Sequence, residues 1–381
     1  MLMSRVLMLV WTGVHTDTRV LREASVLVEA GHEVHIIGRA IPDDFVPPHG
    51  STVTSVGRAP NAQARTRELS SAERAARWVL LPAHVQRRMI AWQEAALEAA
   101  AEHRADVVHA HDLSALPVGA ELAQRWSVPL VYDSHELWLG RPREGMPAPW
   151  QRRADLRNER ELGARAEVVL TVGDGVAREL RERFGWRDIR VVRNSFDVES
   201  APDLTRSAPA GLVYAGRLAA YRELEIVAQA SRSVDLPITL VGPADETWLR
   251  RFDASRTTVV GTETIDAVGV RIAAAGLALV THSDRWLNHR LALPNKLFHA
   301  ISLGVPVVAT DVGELGAIVR EHGVGTLYRP GDGRSLQVAI SEAKQRYAEL
   351  LDNVARAQQA LSWTSDRAVL IGAYESILRD R

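Results

Sequence analysis

The sequence predicts an α/β chain made of two doubly wound, Rossmann-like parallel-sheet halves of about equal size. Three observations predict it. Short apolar runs alternate with helix-patterned stretches along the chain, an irregular passage between Asp197 and Gly211 divides the series in two, and the chain has 381 residues. At roughly 100 to 200 residues per domain, that length favours two domains, each able to bury its own core.

Arg5 to Val10 is apolar and ends in a turn carrying Gly13, after which Val20 to Ala30 repeats apolar residues at helical spacing until Gly31-His32 stops it. His35-Ile36-Ile37 is the next strand. Strand, turn, helix, strand is the unit of a parallel sheet, whose loops at the carboxyl ends of strands face the ligand crevice. The pattern continues through Asp106 to His109, Leu130 to Tyr132, Val168 to Leu170 and Ile189 to Val192. Ser200, Pro202, Ser207 and Pro209 mark a connector. A second series follows at Gly211 to Tyr214, Ile238 to Val241, Thr257 to Val260, Leu277 to Val280 and Val305 to Ala309. The expected domains are 1–198 and 199–365, with a last helix over 366–381 packing back on the first, capped near Ser362.

Composition excludes several functions. Lys+Arg 46 against Asp+Glu 47 gives a net charge of −1, which argues against bulk nucleic-acid binding. With no cysteine, thiol catalysis, disulfides and Cys-zinc sites are ruled out. The amino-terminal apolar run is far short of the ~18 residues that cross a membrane and has no small-residue cleavage site, so a cytoplasmic protein is expected. Residues 61–102 are rich in Arg and Ala around Trp78, Leu80, Leu81 and Trp92, with Pro82 interrupting. They read either as a basic aromatic helical pair on a membrane surface or acceptor, through 74–92, or as a helix packed on the sheet with its arginines solvated.

Three places carry candidate chemistry. Gly216-Arg217-Leu218 follows a strand, with Arg222 beyond; glycine admits an anion to the backbone and two guanidinium groups can clamp a diphosphate, although a surface Arg pair near a turn fits equally. Lys296 and Lys344 are the only lysines, and Leu293-Pro294-Asn295-Lys296 opens a helix. A lysine in a first turn opposes the helix dipole unless an anion binds there. In the first half, His109-Ala110-His111-Asp112 and Tyr132-Asp133-Ser134-His135-Glu136 end two strands. His109 and His111 share a strand face, but no distant third ligand presents itself and no metal site is expected.

In their order along the chain, these segments resemble a retaining glycosyltransferase of the family-4 type with the GT-B fold. The resemblance rests on Asp17-Thr18-Arg19-Val20 with Gly31-His32-Glu33-Val34, on the two histidine segments, on Gly216-Arg217-Leu218 with Arg222, and on the Pro294-Asn295-Lys296 segment through Asp311, Gly313 and Glu314. It implies two Rossmann-like domains facing across a cleft, closing about the 197–210 connector. It further implies that Arg217 and Arg222 bind the donor's diphosphate, that backbone around Leu293, Pro294 and Asn295 holds the distal phosphate and sugar, and that Lys296 assists. By the same resemblance His135 lies against the donor sugar, near His111, while Gly13 and Gly216 let backbone approach the phosphates or acceptor.

The family's pair of glutamates is replaced at both ends, by Leu291 and by His299, where the second acid usually holds the ribose hydroxyls. Imidazole accepts one hydrogen bond where a carboxylate accepts a bidentate pair. The implied reaction moves a sugar, of hexosyl type, from a nucleotide-diphosphate sugar to a hydroxyl-bearing acceptor in envelope glycan, glycolipid or secondary-metabolite synthesis, with retention and without metal or other cofactor. The alternatives are a nucleotide-sugar epimerase on the same fold and a binding subunit without turnover.

Overall fold

Each short apolar run forms a strand, and the strands assemble into two separate parallel sheets. The computed structural model of the chain describes residues 3–57, 71–140 and 149–379, with the side chains of 71–85 and of 149 outside that description. The Arg-rich stretch 58–70, the side chains of Trp78, Leu80 and Leu81, and residues 141–148 therefore lie outside the described part.

One unit runs through Val172 and takes in Val176–Val192 and the chain from Arg367; the other holds Gly173–Gly175 and Arg193–Asp366. The passage out of the first unit thus comes at Val192, ahead of residue 198. The first sheet contains β1 (Arg5–Val10), β2 (Glu33–Gly38), β3 (Ser51–Ser55), β4 (Val107–His111), β5 (Leu130–Ser134), β6 (Val168–Thr171) and β7 (Ile189–Val191), in the order β3-β2-β1-β4-β5-β6-β7. Every neighbouring pair is parallel. Sequence reasoning misses β3, an edge strand reading Ser-Thr-Val-Thr-Ser, because one aliphatic residue makes no apolar run.

The second sheet contains β8 (Leu212–Ala215), β9 (Ile238–Val241), β10 (Thr257–Val260), β11 (Ala278–Val280), β12 (Val307–Thr310) and β13 (Gly325–Tyr328), ordered β10-β9-β8-β11-β12-β13. It is parallel throughout. Its strands are buried on both faces, with Leu212, Tyr214, Leu240, Leu279 and Val308 in one core layer and Val213, Val241, Val280, Val307 and Ala309 in the other. Each fully buried aliphatic side chain contributes about 1.5–3 kcal/mol, which is why these runs read as unbroken apolar stretches.

Both sheets reverse their winding at the first strand: β1 lies between β2 and β4, and β8 between β9 and β11. Loops leaving the carboxyl ends of such strands diverge and open a crevice for ligand. Gly13 follows β1, His111 ends β4 and Gly216 follows β8, so the sequence-predicted residues stand at the two switch points.

The expected interruption at Pro82 is corrected. Ser71–Ala100 is one helix, as is Asp112–Trp126 with Pro117 inside it; a proline deletes one backbone bond, and the turns on either side continue the helix. Over 86–100 the buried positions Trp92, Ala96 and Ala100 recur every fourth residue. Trp92 meets Trp11 edge to face at 5.8 Å, and Gln93 donates to the Ser114 carbonyl at 2.9 Å. This is the pattern of a helix packed on its own domain. No described helix is long and apolar enough to cross a membrane. The last helix, Trp363–Arg379, begins in the second unit and belongs to the first from Arg367 on.

Candidate functional site

In the first unit a buried ionic group stands behind His135. Arg19 sits on the inward face of helix Thr18–Glu29, whose amino end is capped by Asp17 accepting from Val20 N. Its guanidinium grips Asp133 at the end of β5 in bidentate fashion, Nε to Oδ2 and Nη2 to Oδ1 both at 2.7 Å, and Nη1 donates to the Val192 carbonyl at 2.6 Å. Asp133 Oδ2 is also 3.1 Å from His111 Nδ1 and 3.0 Å from His135 Nε2. The His135 amide donates to Asp112 Oδ1 at 3.2 Å, and its Nδ1 is 3.8 Å from Asp112 Oδ2. Asp112 holds a left-handed backbone, φ 61°, at a cost of order 1–3 kcal/mol that aspartate bears better than most residues.

Arg19 and Asp133 are 4% and 0% exposed in their side chains and His135 is 18%. Burial opposes ionisation of Asp133, but Arg19 and His135 outweigh it and hold the carboxyl well below its usual range. Burial likewise lowers His135, yet Asp112 and Asp133 more than offset it and raise the imidazolium pKa to about 9. Glu23, one turn after Arg19, is pushed up to about 8 by burial against the pull of Arg19, while burial pulls His109 and His111 down.

Among the described residues Glu23, His109, His111 and Asp133 form a set whose ligand atoms lie within 4.8 Å of one another. Their geometry does not suit one ion. The imidazoles of His109 and His111 are stacked, 4.2 Å between centroids and 19° between planes. An ion must lie in the plane of each ring about 2.0–2.1 Å from nitrogen, and two nearly parallel planes so spaced do not meet at that distance. Both Asp133 oxygens already accept from the Arg19 guanidinium.

In the second unit the positive groups gather where β8 ends. Gly216 has φ 146°, and a β-carbon there would stand 2.6 Å from Lys296 Cε and 2.7 Å from Nζ. The Lys296 ammonium lies 5.3 Å from the centre of the Tyr214 ring, within cation–π range, and the Tyr214 hydroxyl donates to the Arg217 carbonyl at 3.1 Å. Burial, then repulsion from Arg222, lowers the Lys296 pKa to about 7. Arg222 lies over the Tyr221 ring at 4.8 Å, and its Nε is buried with no hydrogen-bond partner among the described residues. Helix Asn295–Ser302 begins at Pro294 with no side-chain cap, so its first amides face outward with positive partial charge.

The structure brings Gly216, Arg222 and Lys296 together, with Pro294 and exposed Asn295 at the same helix start and Leu293 buried beneath it. Arg217, two residues past the end of β8, is exposed. His299 lies one turn beyond Lys296, 7% exposed, its ring stacked on Phe196 at 5.0 Å, and burial lowers its pKa. Gly13 has an ordinary extended backbone, φ −72° and ψ 108°; a β-carbon there would lie 3.0 Å from the movable end of His15.

Sequence reasoning missed two histidines beside this group. His282 Nδ1 donates to the His289 carbonyl at 3.2 Å, and Ser283 Oγ meets His289 Nδ1 at 2.9 Å. Burial first, then His289, Arg222 and Lys296, depress His282 to about 4 despite that backbone bond, and burial with Arg222 lowers His289. They sit in loop and one-turn structure between β11 and Pro294, where no periodicity marks them. Arg19 and Glu23 left a fainter signal: charged residues four apart on the core-facing side of an amphipathic helix.

Residues 13–195 match a family model described as a glycosyl transferase 4-like domain, and residues 209–345 match one described as glycosyl transferases group 1. The glycogen synthase of Mycobacterium tuberculosis is 26% identical over 351 residues, covering 88% of this chain and 82% of that protein. The structure of sucrose-phosphate synthase from Thermosynechococcus elongatus superposes with a TM-score of 0.72 at 18% identity, over 99% of this chain and 100% of that one. HepE of Anabaena, solved in complex with UDP, gives 0.68 at 16% identity, over 98% and 100%. With its halves matching these two transferase families in order, and a parallel sheet in each, the chain is a glycosyltransferase of the GT-B fold.

Proposed function

We propose that the second unit binds the diphosphate of a nucleotide sugar and that the first supplies His135 to the reacting sugar, the anomeric configuration being retained. One observation carries this reading. Arg222, Lys296, His282 and His289 are set against one another at the end of β8, and neither Arg222 nor Lys296 has an ion-pair partner among the described residues. Charging Lys296 beside Arg222 is costly until an anion enters, while His282, held down to about 4, stays neutral. The solved complexes of HepE with UDP and with UDP-glucose support a nucleoside diphosphate as that anion.

In the proposed reaction the bond between the anomeric carbon and the diphosphate oxygen breaks. The acceptor oxygen bonds to the same face, and its proton passes to the departing diphosphate. Lys296, Arg222 and the uncapped helix start stabilise the charge that grows on the leaving group. The acceptor is a hydroxyl of a glycan, glycolipid or secondary metabolite; the glycan is favoured by the name of the mycobacterial relative. Epimerase and non-catalytic binding readings draw no support from the families matched.

The test is calorimetry with UDP, ADP and GDP, followed by donor consumption and the anomeric configuration of the product by NMR. Binding of at least one diphosphate, its loss in Arg222→Ala and Lys296→Ala, and a retained anomer are expected. Unchanged binding and turnover in both variants overturn the proposal.

A further inference from the structure

Both ring nitrogens of His135 face carboxylate oxygens. Nε2 is 3.0 Å from Asp133 Oδ2 and Nδ1 is 3.8 Å from Asp112 Oδ2. A neutral imidazole donates from one nitrogen only and would turn a lone pair toward one of these anions; only the imidazolium donates from both. Asp133 is itself immobile, because Arg19 holds both its oxygens and is tied in turn to the Val192 carbonyl. His111 spends its Nδ1 on the same Asp133 oxygen, which places that nitrogen 3.1 Å from His135 Nε2.

We propose that Asp133, clamped by Arg19 and shared with His111, is a positioning residue that anchors His135 Nε2–H and keeps the ring an oriented imidazolium, so that His135 acts in the transfer as a fixed cation and not as a base. This rests on the placement of His135 at the reacting sugar. The charged and titratable groups around the ring come from every element packed on it: Asp112 and His111 from the end of β4, Asp133 from β5, Arg19 and Glu23 from helix Thr18–Glu29. Their sum favours the cation. Asp112 and Asp133 are the anions, Arg19 neutralises one of them, and His109, His111 and Glu23 are each held toward the neutral form by burial. Arg19 meets both oxygens of Asp133 and His111 meets one of them, and side chains behind a reacting group commonly set its geometry.

The experiment is imidazole 15N NMR of the whole chain labelled at histidine, alongside turnover of whichever of UDP-, ADP- or GDP-glucose the enzyme hydrolyses. At pH 7.5 the wild-type His135 is expected to show two protonated nitrogens. Asp133→Asn is expected to convert it to a single neutral tautomer and to lower kcat about tenfold with little change in KM. Because that variant leaves Arg19 buried without its anion, Asp112→Asn, whose side chain is partly exposed, serves as a second probe and is expected to make His135 titrate at least one pH unit lower. A neutral His135 in the wild type, or an unaltered His135 signal in either folded variant, overturns the inference. His135→Ala separates the two claims: full turnover in that variant defeats the placement of His135 at the sugar, whereas lost turnover there with normal kcat in Asp133→Asn defeats the positioning role alone.

Discussion

The ammonium of Lys296 stands in the space that a side chain on residue 216 would occupy, 2.7 Å from the β-carbon position of Gly216. A glycine on one element and a lysine on another are therefore complementary in shape, and neither can change without the other responding. Gly216→Ala is expected to lose on two counts. Its φ of 146° is nearly exclusive to glycine, costing about 1–3 kcal/mol in stability, and the added methyl group displaces Lys296. Thermal unfolding and a diphosphate binding isotherm check both, and a fully stable variant with normal affinity would contradict the fit.

Lys296→Met separates stability from activity. A lysine whose folded pKa is lowered from 10.5 to about 7 destabilises the fold wherever the unfolded chain holds the proton, below about pH 10, with the cost fully developed by pH 7. Methionine keeps the volume and removes that cost, so stability at pH 7.5 is expected to rise by about 1 kcal/mol. Donor turnover is expected to fall about tenfold to a hundredfold, the loss of one charge-assisted bond of about 1.5–3 kcal/mol. Chemical denaturation and a donor-consumption assay would show the opposite signs.

Diphosphate binding is expected to take up a proton above pH 7. An anion beside Lys296 returns its pKa toward the ordinary lysine value, so the free protein gains a proton on binding between about pH 7 and that value. Between about pH 7 and that value affinity falls by up to tenfold per unit. Calorimetry of UDP binding at pH 8 in two buffers of different ionisation enthalpy reads the uptake directly; equal heats would contradict it.

His299 offers a test of how the nucleoside is held. If its imidazole serves the ribose, His299→Ala weakens a nucleoside diphosphate about tenfold but leaves inorganic pyrophosphate unaffected. The variant also loses the stack on Phe196, worth about 0.5–1.5 kcal/mol beyond buried area. Equal losses for both ligands would assign His299 to packing only.

The strands were legible because a sheet buried on both faces writes itself as unbroken apolar runs: Arg5–Val10 and Ile238–Val241 coincide with β1 and β9. β3 and β13 were not, since edge strands bury less and carry Thr, Ser and Gly. The Pro294-Asn295-Lys296 helix start was readable from one lysine that contradicts its local dipole. His282 and His289 were not, because they reach Arg222 and Lys296 only through tertiary folding. Arg19 and Asp133 stood among the motif residues, but that they and Glu23 bury one another as a group follows only from tertiary folding, which sets helix Thr18–Glu29 beside Asp133.

Helix Trp363–Arg379 makes the two units hard to separate. Arg367 pairs with Glu29 at 2.7 Å, and the fully enclosed Tyr374 meets His109 Nδ1 with its hydroxyl at 2.8 Å. A fragment ended at residue 192 would expose that histidine's wall and leave its nitrogen unanswered. Dissection into separately expressed pieces succeeds only if residues 367–379 travel with the first unit.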